Sequence, residues 1–285
     1  MTVMKPCISQ ATTLSTPFER DIPSYAMAGW SAVELWLTKL ETYLQSHTID
    51  EAKALLVENG LQPVSASSQG GLLLSQGAER EAHWDLFRRR LELLDRLEVP
   101  TLIVAADFVN DVAPEDYGRA TQSLAKACEL AKEYGIRLAL EFQKGSKFCS
   151  SLDTALALIA QSGASNLGVC FDLFHYYTGP SKFEDLGYLS TENLAWVQAC
   201  DLSGVPRELA GDADRILPGE GDFQVEPIFD HLAAIGYEGY VSLEVLNPQL
   251  WAIAADRVAD AGRHSLERLL RPRPTSKREP SWGVS

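Results

Sequence analysis

The sequence predicts an α/β chain folded as a single (β/α)8 barrel over residues 1–270. Three observations carry this. Eight short apolar runs alternate with stretches that have room for a helix, and alternation of that kind builds a parallel sheet covered by helices. Most of the runs are apolar almost throughout, as in strands covered on both faces. The length, 285 residues, suits one barrel of roughly 250 residues with a short extension.

The first run, residues 5–11, ends in Ser9-Gln10-Ala11-Thr12-Thr13 rather than a glycine-rich turn. That disfavours the alternative, a doubly wound open sheet with a dinucleotide-binding loop. The second run covers 32–37, and Thr48 with Glu51 three residues later has the spacing of a helix capping box. The third, 61–67, leads to an amphipathic helix over 78–97. The fourth, 101–106, leads to a helix over 115–134, closed by Gly135. The fifth, 136–142, precedes a helix over 151–162, with Ser151 at the N-cap position. The sixth and seventh cover 167–173 and 194–202. A helix over 225–235 ends at Gly236, the eighth run spans 240–246, and a last helix covers 249–270. Residues 271–285, with three prolines and little apolar content, are expected to form a flexible tail.

Composition narrows the function. The formal charge is −14, which argues against nucleic acid, whose phosphates need a clustered basic face. No apolar run approaches the ~18 residues of a membrane span, and the N-terminus has no signal-peptide core. The five cysteines lie far apart in sequence and form neither a disulfide framework nor a CxxC metal pattern. A cytoplasmic protein with reduced thiols is expected. Its oligomeric state is open, with a homo-oligomer among the options.

In such a barrel, chemistry sits at the C-terminal ends of the strands. There the fifth strand ends on Glu141, the sixth brings Asp172 and then His175, the seventh carries Gln198 and Asp201, and the eighth carries Glu244. A carboxylate in an apolar strand is costly unless paired, protonated or bound to a cation. One alone is more often paired with a loop lysine or arginine. Three converging on one mouth favour a divalent cation. Glu141, Asp172 and Glu244 with the Gln198 amide oxygen make an all-oxygen ligand set, which favours Mn2+ or Mg2+, with Co2+ or Zn2+ as alternatives. The hexapeptide Leu217-Pro-Gly-Glu-Gly-Asp222 reads as a tight loop over the mouth. Arg215 just before it is a candidate to grip a substrate oxygen, with a surface ion pair as the equal alternative. Trp30, Trp36, Tyr176 and Tyr177 are candidates for a sugar-lining cluster or for core. Trp36 is placed on the substrate side.

The segments Cys7-Ile-Ser-Gln-Ala-Thr-Thr-Leu14, Leu138-Ala-Leu-Glu-Phe142, Phe171-Asp-Leu-Phe-His175, Asp214-Arg-Ile-Leu-Pro-Gly-Glu-Gly-Asp222, Gly239-Tyr-Val-Ser-Leu-Glu-Val245 and Asn247-Pro248 follow one another in this order. In them the sequence resembles the xylose isomerase-like TIM barrels, and most of all their inosose (2-keto-myo-inositol) isomerase branch. The resemblance implies metal ligands at Glu141, Asp172 and Glu244, a substrate-side histidine at His175 and a pocket-facing arginine at Arg215. It implies an isomerase or epimerase of a small polyhydroxylated ketone, working through an enediolate, with Glu141 or Glu244 as base. Gln198 departs from the pattern, since many members have histidine there. In this the chain is similar to bacterial 3-dehydroshikimate dehydratases, which makes a metal-dependent lyase the second expectation. A sugar-binding barrel without turnover is the third.

Overall fold

The computed structural model describes residues 4–108 and 111–271. The expected tail at 271–285 lies outside these residues but for Arg271. Eight strands run β1 Lys5–Ser9, β2 Ala32–Trp36, β3 Gln62–Gln69, β4 Thr101–Ala105, β5 Arg137–Glu141, β6 Leu167–Asp172, β7 Leu194–Ala199 and β8 Tyr240–Leu243. Every pairing is parallel and each strand bonds to its sequence neighbours. β1 closes the ring on β8, with Lys5 opposite Tyr240 and Ile8 opposite Leu243. This closure rules out the open sheet.

Among the described residues ten α-helices follow the strands in order: α1 Phe18–Met27, α2 Leu37–Tyr43, α3 Ile49–Glu58, α4 Gly77–Arg96, α5 Pro114–Glu133, α6 Leu152–Ser162, α7 Leu173–Thr178, α8 Val225–Ala234, α9 Pro248–Trp251 and α10 Ala255–Leu270. Local sequence chemistry sets several of their ends. The Thr48 hydroxyl accepts from the Glu51 N–H while the Glu51 carboxylate accepts from the Thr48 N–H, so the expected capping box starts α3. Gly135 and Gly236 follow α5 and α8 at φ of 68° and 82°, left-handed values that cost an L side chain energy. Ser151 does stand at the N-cap of α6, yet its hydroxyl bonds the Asp153 and Thr154 side chains instead of a helix N–H.

Most expected strands stop a residue or more early, and two elements depart further. The seventh strand stops at Ala199, because Asp201 leaves the barrel ladder and exchanges both backbone hydrogen bonds with Ile216 of the following loop. The last helix is two helices. Asn247 caps α9 by accepting from the Gln249 N–H, and the Trp251 indole donates to the Ala11 carbonyl. The chain then turns through an extended Ala254 before α10 begins. None of the described helices is long and apolar enough to cross a membrane.

The core has two layers. Cys7, Ala32, Val64, Ile103, Ala139, Cys170 and Trp196 pack together as one cluster. The larger cluster lies between barrel and helices and includes Ile8, Val33, Leu35, Leu102, Leu138 and Phe171. Strand periodicity accounts for the division, since successive side chains point to opposite faces. Cys7, Ala32, Ala139, Cys170 and Trp196 stand two residues before Ser9, Glu34, Glu141, Asp172 and Gln198. The same alternation that fills the barrel interior thus puts a polar layer above it.

Candidate active site at the barrel mouth

Glu141, Asp172, His175, Gln198, Arg215 and Glu244 are brought together, all buried. Asp172 closes β6 and caps α7, accepting the Phe174 N–H at 2.7 Å. One helical turn later α7 carries His175, whose Nε2 lies 3.7 Å from Asp172 and 3.9 Å from Glu141. The ligand-capable atoms of Glu141, Asp172 and His175 lie within 4.8 Å of one another. Gln143 donates to the second oxygen of Glu141 at 2.7 Å.

Arg215 reaches in from the loop after β7. Its Nη1 donates to Asp172 at 2.8 Å and to Glu244 at 3.2 Å, while Nε and Nη2 bond Asp212 at 3.1 and 2.8 Å. Its guanidinium carbon lies over the Phe174 ring, 4.4 Å from the ring centre. Arg215 is therefore a buried partner of the carboxylates rather than half of a surface pair. Its loop is held by Asp201, whose carboxylate accepts the N–H groups of Leu202, Gly219 and Phe223. A Cβ at Gly221 would stand 2.4 Å from that carboxylate, which explains the second glycine of the hexapeptide. Asn247 adds a bond to the Arg215 carbonyl at 2.9 Å.

Glu34 joins this layer although it is not among the acids expected there. It lies in β2, fully buried, and accepts from Ser9, Ser67, Trp196 and Gln198. The signal that picked out the other acids was there as well: Ala32-Val-Glu-Leu-Trp36 is an apolar run broken by one carboxylate. Gln198 turns its Nε2 toward Glu34 and Glu244, at 3.0 and 2.9 Å, and its oxygen toward the Cys170 thiol at 3.2 Å. Trp36 stands apart. It lines a cavity of about 660 Å3 with Phe18, Lys39, Tyr43 and His47, and among the described residues no hydrogen bond ties it to the acidic cluster. Trp30 is core, its indole bonded to the Ala259 carbonyl. Tyr176 packs on Phe171 and Tyr177 stacks on Phe223.

The electrostatics follow from burial. Loss of water, then the charges of Asp172 and Glu34, push Glu141 up to about 8 against the opposing pull of Arg215. Burial likewise raises Glu34 and Glu244. His175 is lowered to about 4 by burial, with Asp172 pulling the other way and Arg215 adding to the drop, so its imidazole is neutral near pH 7. Four buried acids thus face one buried arginine. Such a set is at rest only with protons on some of the acids or with a further cation. Carboxylate oxygens and a neutral imidazole are the donors a divalent metal ion takes, so the residues fit the metal that the sequence pattern implied.

A closed parallel barrel with this acidic mouth is the architecture of a known class. Residues 24–269 match the xylose isomerase-like TIM barrel family, and the chain belongs to it. It is similar to the inosose isomerase of Halalkalibacterium halodurans, 27% identical over 89% of this chain and 92% of that one. It is also similar to the 3-dehydroshikimate dehydratase of Pseudomonas aeruginosa, 24% identical over 89% of this chain but only 40% of the longer dehydratase. Among solved structures, an IolI protein with a bound zinc atom superposes with a TM-score of 0.88, covering 94% of this chain and 98% of that one at 21% identity. The expected fold and family are both borne out.

Proposed function

We propose that this chain is a divalent-metal-dependent isomerase or epimerase of a small sugar-like or cyclitol ketone. The observation that carries the reading is the convergence of Glu141, Asp172 and Glu244 at the ends of β5, β6 and β8 on one buried mouth, where Glu141 and Asp172 cluster with His175 and Arg215 joins Asp172 to Glu244. The inosose isomerase relative supports the substrate class. Glu141, Asp172 and Glu244 would hold the metal, Mn2+ or Mg2+ by the hardness of their oxygens. Gln198 joins that set only if its amide turns over, since its nitrogen now faces Glu244. When bound, the metal supplies Lewis-acid polarisation of the ketone and so acidifies the neighbouring C–H.

The protein's own groups do the rest. Glu141 and Glu244 stand on strands three apart around the ring, so the mouth has a carboxylate on two sides. One removes the proton beside the carbonyl, and that one or the other returns it to the neighbouring carbon or the opposite face. His175, neutral and held by the Lys144 N–H on Nδ1 at 3.4 Å, offers Nε2–H to a substrate oxygen. Arg215 is anchored on Asp212, which leaves Nη1 to answer a substrate oxygen or the acids.

The test starts with metal content after purification without chelator, then Mn2+ titration followed by thermal melting. About one metal per chain and a raised melting temperature support the reading, as binding to the folded state must. Inosose and ketoses are then assayed against dehydroshikimate. A second reading, a lyase of dehydroshikimate type, is favoured by Gln198 and by the dehydratase relative. New absorbance from a conjugated product would select it. Absence of both metal and stabilisation would move the chain to a binding protein.

A further inference from the structure

Glu34 is the buried acid that the chemistry above leaves without a task. It sits fully buried between β1 and β3, and its contacts run across the barrel. Oε1 accepts from Ser9 Oγ at 3.1 Å, Ser67 Oγ at 2.8 Å and Gln198 Nε2 at 3.0 Å. Oε2 accepts the Trp196 indole N–H at 2.7 Å. Four donors from β1, β3 and β7 therefore fix this carboxylate.

The arrangement dictates which way Gln198 faces. The Glu34 oxygen that faces the amide is the one that accepts from Ser9 and Ser67, so the amide turns its nitrogen to it. The Cys170 thiol, 3.2 Å from the amide oxygen, supplies the matching donor on the other side. The nitrogen has a second proton, and the acceptor in reach is Glu244 Oε1 at 2.9 Å. Both protons are then used. The remaining oxygen of Glu244, Oε2, is left to Arg215.

The geometry points to Glu34 as the positioning residue for Glu244, acting through the Gln198 amide. Glu34 sets the orientation of the amide, and the amide sets which oxygen of Glu244 is held inside the barrel and which is left to Arg215. A purely space-filling role would be served as well by an apolar side chain, because a buried charge gives up its hydration and is rarely the more stable choice. The inference rests on the isomerase reading for what Glu244 does, and on contacts alone for how it is held.

The test compares the full-length protein with Glu34→Gln, Gln198→Met and the double variant, with Glu34→Asp as a conservative control that keeps the charge but shortens the reach. Mn2+ affinity is measured by calorimetry. Each single substitution is expected to weaken Mn2+ by about 10–100-fold, the usual effect of losing a group that orients a metal ligand. The double variant is expected to be no worse than either single one. Multiplied losses would mean that Glu34 does not act through Gln198, and would overturn the proposal. A second readout needs neither metal nor substrate. With glutamine side chains labelled with 15N and chelator present, Glu34→Gln or Glu34→Asp should move both Gln198 amide protons, including the one given to Glu244. Movement of only the Glu34-facing proton would overturn the relay. If the parent protein takes no Mn2+, the metal-dependent reading falls while this second readout still decides the role of Glu34.

Discussion

Arg215 and Asp172 form an ion pair that is shut off from solvent: Nη1 lies 2.8 Å from Oδ2, and the two side chains are 2% and 0% exposed. The same nitrogen reaches Glu244 at 3.2 Å. One guanidinium thus keeps two strand-end acids together while its other nitrogens hold Asp212 on the loop. A neutral side chain there would leave Asp172 buried beside other acids with nothing opposite it.

Arg215→Met should therefore destabilise the metal-free protein by ~3–5 kcal/mol, the usual cost of breaking a buried pair from one side. Urea unfolding in chelator measures the loss, and Mn2+ should restore part of it. An unchanged midpoint in chelator would show that the acids do not depend on this guanidinium.

Glu244→Gln removes a charge from the mouth and none from the apolar layers. We expect weaker Mn2+ binding, no turnover and an unaltered circular dichroism spectrum. Metal content and activity equal to those of the parent protein would refute the assigned site.

Asp201 ties its loop through three backbone N–H groups. Asp201→Ala leaves those donors unsatisfied, at ~1–3 kcal/mol for each that stays buried. Amide hydrogen exchange should speed up at Gly219 and Phe223 while β7 itself stays protected. Unchanged exchange at both positions would mean that the loop is held by something else.

All five cysteines are buried and unpaired. Burial, with smaller contributions from Glu129 and Asp153, pushes Cys128 and Cys149 up to about 12. Raising the pH toward that value forms thiolate, so at pH 8 roughly 1 in 10,000 of either thiol is reactive. Iodoacetamide at pH 8 should label neither in the folded protein and all five cysteines in denaturant. Rapid native labelling of Cys128 or Cys149 would contradict their burial.

Much of the fold was legible in the chain because its signals are local. A run such as Thr101-Leu-Ile-Val-Ala105 favours a strand on β-branched content alone, and Gly135 marks a helix end by its own backbone freedom. Three acids of the mouth were legible for a related reason: a carboxylate breaks the pattern of an apolar strand. The break in the last helix was less so, because the Trp251 bond to Ala11 spans nearly the whole chain. Trp36 read as a pocket residue by type, yet its place beside Phe18, Lys39 and Tyr43 follows from how the first two βα units pack.

The sequence by itself determined that eight covered strands alternate with helices and that acids end β5, β6 and β8. Short-range periodicity and the cost of buried charge are enough for that. Tertiary structure decided the rest: that Glu34 joins those acids, that Gln198 turns its nitrogen to Glu244, and that Arg215 comes in from a loop to stand between Asp172 and Glu244. Each of these depends on which atoms face one another across a closed ring. The nearest in sequence, Glu244 and Arg215, are 29 residues apart, and Gln198 and Glu34 are 164 apart. No local rule orients an amide or a guanidinium over such separations; barrel closure does, by bringing donor and acceptor together in a buried space where polar atoms must partner one another.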